Sequence, residues 1–219
     1  MIINHESLLT AWGQLASDKS DSLILAQLIH TLDEQYDLLK KIEQEPGTQV
    51  IVEQMLGRLI TAVSLLSSLS GKRILDIACG SNSSQTPPTL YINTPLQTAT
   101  IHTNIGNRYT AHFEPWFCRI LLILGADPVG IDFGDLSGES FEHYYADLTQ
   151  TGALDFLPSH SFDAVQDSRL FGSPEFTALL PHRSDRYKIA QEIRNQELRL
   201  LKEDGIIIHS DTGRWLDSG

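Results

Sequence analysis

Lys72-Arg73-Ile74-Leu75-Asp76-Ile77-Ala78-Cys79-Gly80-Ser81-Asn82 decides the fold: a short apolar run that ends in small and polar residues. Such a run reads as a buried strand, and the small residues after it read as a tight loop. The texture returns at Val129-Gly130-Ile131-Asp132, at Phe162-Asp163-Ala164-Val165-Gln166 and at Ile206-Ile207-Ile208-His209, with a shorter run at His143-Tyr144-Tyr145-Ala146. Helical patterns lie between them. Phe113, Phe117, Ile120, Leu121 and Leu124 share one helical face that Gly125 closes. Residues 184–202 form a long helix with Ile189, Ile193 and Leu200 facing inward, and Glu203-Asp204-Gly205 turns it into the last strand. Strands that alternate with helices need crossover connections, so the expected architecture is α/β with a doubly wound, mostly parallel sheet.

Working outward, residues 1–70 read as an N-terminal helical cap. Leu8, Leu9, Trp12 and Leu15 recur at helical spacing, as do Leu25, Leu28, Ile29, Leu32, Tyr36 and Leu39, and then Ile51, Val52, Met55, Leu56, Leu59, Ile60 and Val63. Breaks are expected near residues 17–20 and at Glu45-Pro46-Gly47, and Gly71 stands where a helix cap would fall. Residues 71–219 make the main domain. Within it, residues 81–112 carry Pro87, Pro88 and Pro95 without helical periodicity, a segment too long for an ordinary strand-to-helix loop. With Tyr91, Ile92, Leu96 and Ile101 as apolar anchors, it reads as a lid or hairpin over a bound ligand, the alternative being a floppy insertion.

Of the 219 residues, 41% are hydrophobic and 20% charged, a balance that supports a packed core. The net charge of −12 argues against a protein that grips nucleic acid by its phosphates. No uninterrupted run of 18 apolar residues and no leader pattern is seen, so a cytoplasmic protein without a membrane span is expected. Cys79 and Cys118 have no metal-type or redox-type spacing, and the eight histidines include no His-x-x-x-His pair, so no metal site is expected.

Open parallel sheets bind ligands at the carboxyl ends of their strands. The first strand ends in Asp76, Ala78, Cys79, Gly80 and Ser81, whose small residues let the backbone approach a ligand. The second ends in Asp132 and Phe133, where a carboxylate offers two oxygens to vicinal hydroxyls. The third ends in Asp147 and Leu148, an acceptor beside an apolar flank, and the fourth in Gln166.

These motifs resemble those of class I S-adenosylmethionine-dependent methyltransferases. Asp76-x-Ala78-x-Gly80 is similar to the family's first motif, Asp132 to its ribose-binding acid and Asp147 to its adenine-side acid. Phe162-Asp163-Ala164-Val165 looks like its fourth strand, and residues 198–206 like its turn into the fifth. The resemblance spans about residues 72–210. It implies a Rossmann-like fold, S-adenosylmethionine as cofactor with S-adenosylhomocysteine as product, and a small-molecule acceptor.

The departures matter. Ala78 and Asn82 stand where the family has glycines, and the family's terminal antiparallel strand pair is not evident, which leaves the fifth strand an edge for the insert, the helical cap or a second copy in a homodimer to cover. Methyl transfer from a sulfonium needs mainly alignment, so no fixed catalytic residue is assigned. Asp167, Arg169 and His209 are the substrate-side candidates, with Asp211 beyond them and with Glu114, Arg108 and Tyr109 as candidates at the amino-acid end of the cofactor. No Asn-Pro-Pro-Tyr sequence follows the fourth strand, and a nicotinamide dehydrogenase's glycine fingerprint is absent. The other reading is a methyltransferase-like cofactor-binding or interaction protein without turnover.

Overall fold

The computed structural model describes residues 4–16, 19–82, 98–102, 108–167, 170–171 and 173–210, with backbone alone at residues 20, 98–102, 108–112, 174–175 and 209–210. The chain opens with α1 (His5–Trp12), α2 (Lys19–Tyr36), α3 (Leu38–Gln44) and α4 (Gly47–Leu66). It continues through β1 (Arg73–Ile77), β2 (Thr98–His102), β3 (Arg108–His112), α5 (Trp116–Ile123), β4 (Asp127–Asp132) and β5 (Glu142–Tyr145). It closes with β6 (Phe162–Asp167), α6 (Pro174–Leu179), α7 (Arg183–Leu200) and β7 (Leu201–Ser210).

Five strands form one parallel sheet in the order β5-β4-β1-β6-β7. The chain runs outward from β1 to β4 and β5, then returns to the other side of β1 with β6 and β7. The switch point therefore lies between β1 and β6. This is the doubly wound α/β architecture that the strand-helix alternation predicts.

Alternation along β1 turns its side chains to opposite faces. Ile74 joins Ala164 and Ile208 in a core with Trp12, Leu32, Ile51, Trp116 and Phe117, so the N-terminal helices and α5 cover that face. Leu75 and Ile77 join Val165, Phe176, Ile189 and Ile193 under α6 and α7. The N-terminal helices thus share a single core with the sheet. The α4 helix is long and apolar enough to cross a membrane by length and composition, a feature that the search for an uninterrupted apolar run passes over because Glu53 and Arg58 interrupt it. In the fold Ile51, Val52, Met55 and Leu56 are buried while Ile60, Val63 and Leu65 are exposed.

Several boundaries differ from those the sequence predicts. Asp37 adopts a left-handed conformation (φ 54°) and breaks the second helical pattern into α2 and α3, with Asp33 accepting the Leu39 amide at 2.8 Å across the break. Ser67 (φ 61°), not Gly71, caps α4; Gly71 (φ 69°) instead turns the chain into β1 and donates to the Gly125 carbonyl. The α5 helix is enclosed on every side over its first six residues: Trp116 through Leu121 are all buried. Residues 203–205 do not form a turn before the strand; β7 begins at Leu201, and they lie at an irregularity in its pairing with β6. Inside the insert, β2 and β3 pair antiparallel and run beside α4.

Candidate functional site

Asp76, on the central strand beside the switch point, is 1% exposed. Gln166, its register partner on β6, donates Nε2–H to Asp76 Oδ1 at 3.0 Å, and the Cys118 thiol of α5 lies 3.8 Å from Oδ2. Burial pushes the Asp76 carboxyl up to about 7; the Gln166 hydrogen bond and the charge of Arg58 oppose that shift, and the charge of Asp132 adds to it. Asp76 therefore changes charge near neutrality, which an exposed aspartate does not do.

The loop that leaves β1 is shaped by backbone constraints. Ala78 and Gly80 both have positive φ, 58° and 93°. At Gly80 the requirement is steric as well, since a Cβ would lie 2.3 Å from the Phe113 carbonyl oxygen and 2.8 Å from the Glu114 carbonyl carbon. Only glycine lets the loop pass under the segment that leads into α5. Asp132, at the end of β4, secures the same loop: Oδ2 accepts the Gly80 amide at 3.0 Å and Oδ1 the Gly134 amide at 2.8 Å. Cys79 donates its amide to Ile131, and Ser81 donates to Phe113, each at 3.0 Å. The structure thus brings Asp76, Cys79, Gly80, Ser81, Asp132 and Gln166 to one end of the sheet, with Phe133 following Asp132.

A buried ionic cluster supports this loop, and the sequence pattern alone does not predict it. Arg119 of α5 is 3% exposed; it donates to Glu114 at 2.7 Å, to Glu139 at 2.7 Å and to Asn82 at 2.7 Å. Its guanidinium lies over the rings of Tyr36 and Trp116 at 4.4 and 4.7 Å. Burial alone would lower the Arg119 pKa, but Glu139 and Glu114 hold it above the usual arginine value. Lys41 of α3 reaches both Glu114 oxygens at 2.5 Å. Glu114 lies just before α5, which begins at Trp116, and it ties the N-terminal helices to the strand end. The one trace of the cluster in the sequence is a single cation inside the apolar run 116–123.

The other residues that the sequence singles out sit apart from this group. Asp147 follows β5 and closes a turn: Oδ1 accepts the Thr149 amide at 3.0 Å and its hydroxyl at 2.6 Å, and Oδ2 accepts Gln150 Nε2 at 3.2 Å. It is joined to Asp132 through the Ala146 amide, which donates to the Asp132 carbonyl at 3.0 Å. Leu148 is buried in the core beneath α7. Asp167 is fully buried on the α7 side of the sheet, where its carboxyl meets that of Glu197, also fully buried. Burial, then Asp167, pushes Glu197 up to about 9, while Arg194 donates to its Oε2 at 3.2 Å. The pair therefore keeps a proton to higher pH than an exposed carboxyl does. His209 lies on β7 in register with Gln166, with only its backbone described; the side chains of Arg108 and Tyr109, and Arg169 and Asp211 altogether, lie outside the described residues.

Among the described residues, no group of three or more His, Cys, Asp or Glu side chains is placed to hold a metal ion. No protein-family model and no curated protein matches the chain.

Proposed function

We propose that this chain is an S-adenosylmethionine-dependent methyltransferase acting on a small-molecule acceptor, with the cofactor at the carboxyl end of β1 and β4. The observation that carries this reading is the meeting of the Gly80 loop with the Asp132 carboxylate beside the switch point of a parallel sheet. The donor set suits the cofactor's chemistry. Two buried acids next to a loop of small residues fit a ligand with a vicinal diol and a positive charge better than they fit an anion.

In this reading Asp132 accepts the ribose hydroxyls and Asp147 lies toward the adenine, while Leu148, buried beneath α7, supports the turn from the core. Asp76 faces the amino-acid end, with Gln166 fixing it from the neighbouring strand, and the amides of Cys79, Gly80 and Ser81 hold the loop's shape through Ile131, Asp132 and Phe113. When bound, the cofactor supplies an activated methyl group on a positive sulfur. The chain's own contribution is alignment and the exclusion of water. Asp76, ionising near neutrality, balances the cofactor's positive charge. No general base is assigned, because Asp167 is committed to Glu197 on the other face of the sheet.

A thermal-shift titration with S-adenosylmethionine and S-adenosylhomocysteine tests the reading. Saturation at 100 times the dissociation constant should stabilise the fold by about 2.7 kcal/mol. The shift should vanish in Asp132→Ala. No shift with either compound would refute the proposal, and a shift without turnover on any acceptor would leave a binding protein.

A further inference from the structure

Cys79 and Cys118 come from different elements, the loop after β1 and the helix α5, and the fold sets their side chains together. They are 2% and 0% exposed. The two side chains pack together in one buried cluster. Gly130 of β4 is the floor beneath both sulfurs: a Cβ there would lie 2.9 Å from Cys79 Sγ and 3.4 Å from Cys118 Sγ. Leu136 and Phe141 complete an apolar wall around the pair. The remaining contacts of the sulfurs are weak ones, from Cys79 to the Gly80 carbonyl oxygen at 3.2 Å and from Cys118 to Asp76 at 3.8 Å. Each cysteine side chain has one torsion, and rotation about it is the motion that brings the two neighbouring sulfurs to bonding distance.

We propose that Cys79 and Cys118 form a disulfide when the protein meets a peroxide, and that the bond tethers the Gly80 loop to α5. In the first step one thiolate attacks hydrogen peroxide; an S–O bond forms, the O–O bond breaks, and the departing hydroxide takes up a proton as water. The second thiol then attacks the sulfenic sulfur; the S–S bond forms, the S–O bond breaks, and a second water leaves. Two thiols lose two electrons and two protons, and the peroxide is reduced to two waters.

The surroundings set the rate. The thiolate is the attacking species, and burial holds both groups as thiols, Cys118 up to about 11. The Asp76 and Asp132 carboxyls on β1 and β4, and Glu139 from the loop after β4, add to that effect. The pair is therefore slow to react near pH 7 and responds to sustained rather than brief oxidant. Because Cys79 stands next to the amide that Asp132 holds, the cross-link fixes the loop at a second point.

The full chain, treated with hydrogen peroxide at pH 8.5, quenched, unfolded and alkylated, is read by intact mass and peptide mapping. The expected product is monomeric, about 2 Da lighter than the reduced chain, with neither cysteine alkylated and residues 79 and 118 in one cross-linked peptide that dithiothreitol releases. Deuterium exchange across residues 79–82 should slow about tenfold in that product and recover on reduction. Two alkylatable cysteines, oxygen added to one cysteine alone, or disulfide dimers would overturn the proposal, and unchanged exchange would overturn the tether. In Cys118→Ser, dimedone should trap a sulfenic acid on Cys79. If that variant does not fold, the measurement on the unaltered chain decides alone. No cofactor enters these readouts, so they stand or fall apart from the methyltransferase reading.

Discussion

The carboxylate of Asp132 accepts the backbone amide of Gly80 at 3.0 Å, so the acid that ends β4 holds the loop that leaves β1. Its other oxygen accepts Gly134 at 2.8 Å, and one buried side chain thereby fixes two loops. Asp132→Asn keeps one acceptor and turns an N–H donor toward an N–H donor. It should cost about 2–3 kcal/mol in urea unfolding and weaken S-adenosylhomocysteine binding more than tenfold. A variant that loses stability but keeps wild-type affinity would show that Asp132 serves the fold alone.

The Arg119 cluster differs in its two cations. Arg119 is buried between Glu114, Glu139 and Asn82, whereas the Lys41 side chain is 33% exposed. Arg119→Met leaves the buried Glu139 without its cation and Glu114 with Lys41 alone, and should destabilise by about 3–5 kcal/mol. Lys41→Met leaves Glu114 paired with Arg119 and should cost only about 1 kcal/mol or less. Chemical denaturation of the two variants checks the order, and equal losses would mean that the ions act as one unit.

Glu197 gives the stability a slope on the alkaline side. Its folded pKa, about 9, lies above the ordinary glutamate value of 4.5, so the folded chain binds a proton that the unfolded chain releases. Stability from this group is full below about pH 4.5 and falls as pH rises toward 9. Asp76, raised to about 7, contributes a fall that ends near neutrality. Between pH 7 and 9 the melting temperature should therefore decline, and Glu197→Gln should flatten that decline. An unchanged slope in the variant would assign it to other groups.

The cofactor and its product differ by one positive charge at sulfur, and Asp76 titrates beside the proposed site. As pH rises through about 7 the carboxylate forms, and it favours the sulfonium over the neutral thioether. The preference for S-adenosylmethionine over S-adenosylhomocysteine should grow from pH 6 to 8, up to about tenfold for each unit by which the ligand lowers the Asp76 pKa. Asp76→Asn should abolish the trend, as read by calorimetry across the pH series.

Much of the fold is legible in the residues themselves. β1, β4 and β6 are buried on both faces, and that burial is what writes Ile74-Leu75, Val129-Gly130-Ile131 and Ala164-Val165 as apolar runs bounded by polar residues. Asp76 and Asp132 are readable because each stands at the carboxyl end of such a run. The Arg119 cluster is not, since Lys41, Asn82, Glu114 and Glu139 are distant in sequence and meet only through packing. Glu197 does carry a local signal: it sits four residues after Ile193 and eight after Ile189, on the buried stripe of α7. The contact between Cys79 and Cys118 has no local trace, because a helix docking beside a strand end creates it.

The most direct test follows the amides that Asp132 holds. In a ¹H–¹⁵N titration with S-adenosylhomocysteine, the Gly80 and Gly134 resonances should shift and saturate together at one equivalent, and the titration should be silent in Asp132→Ala. Unmoved Gly80 and Gly134 resonances at saturating ligand, or shifts confined to residues remote from both loops, would contradict the proposed binding site.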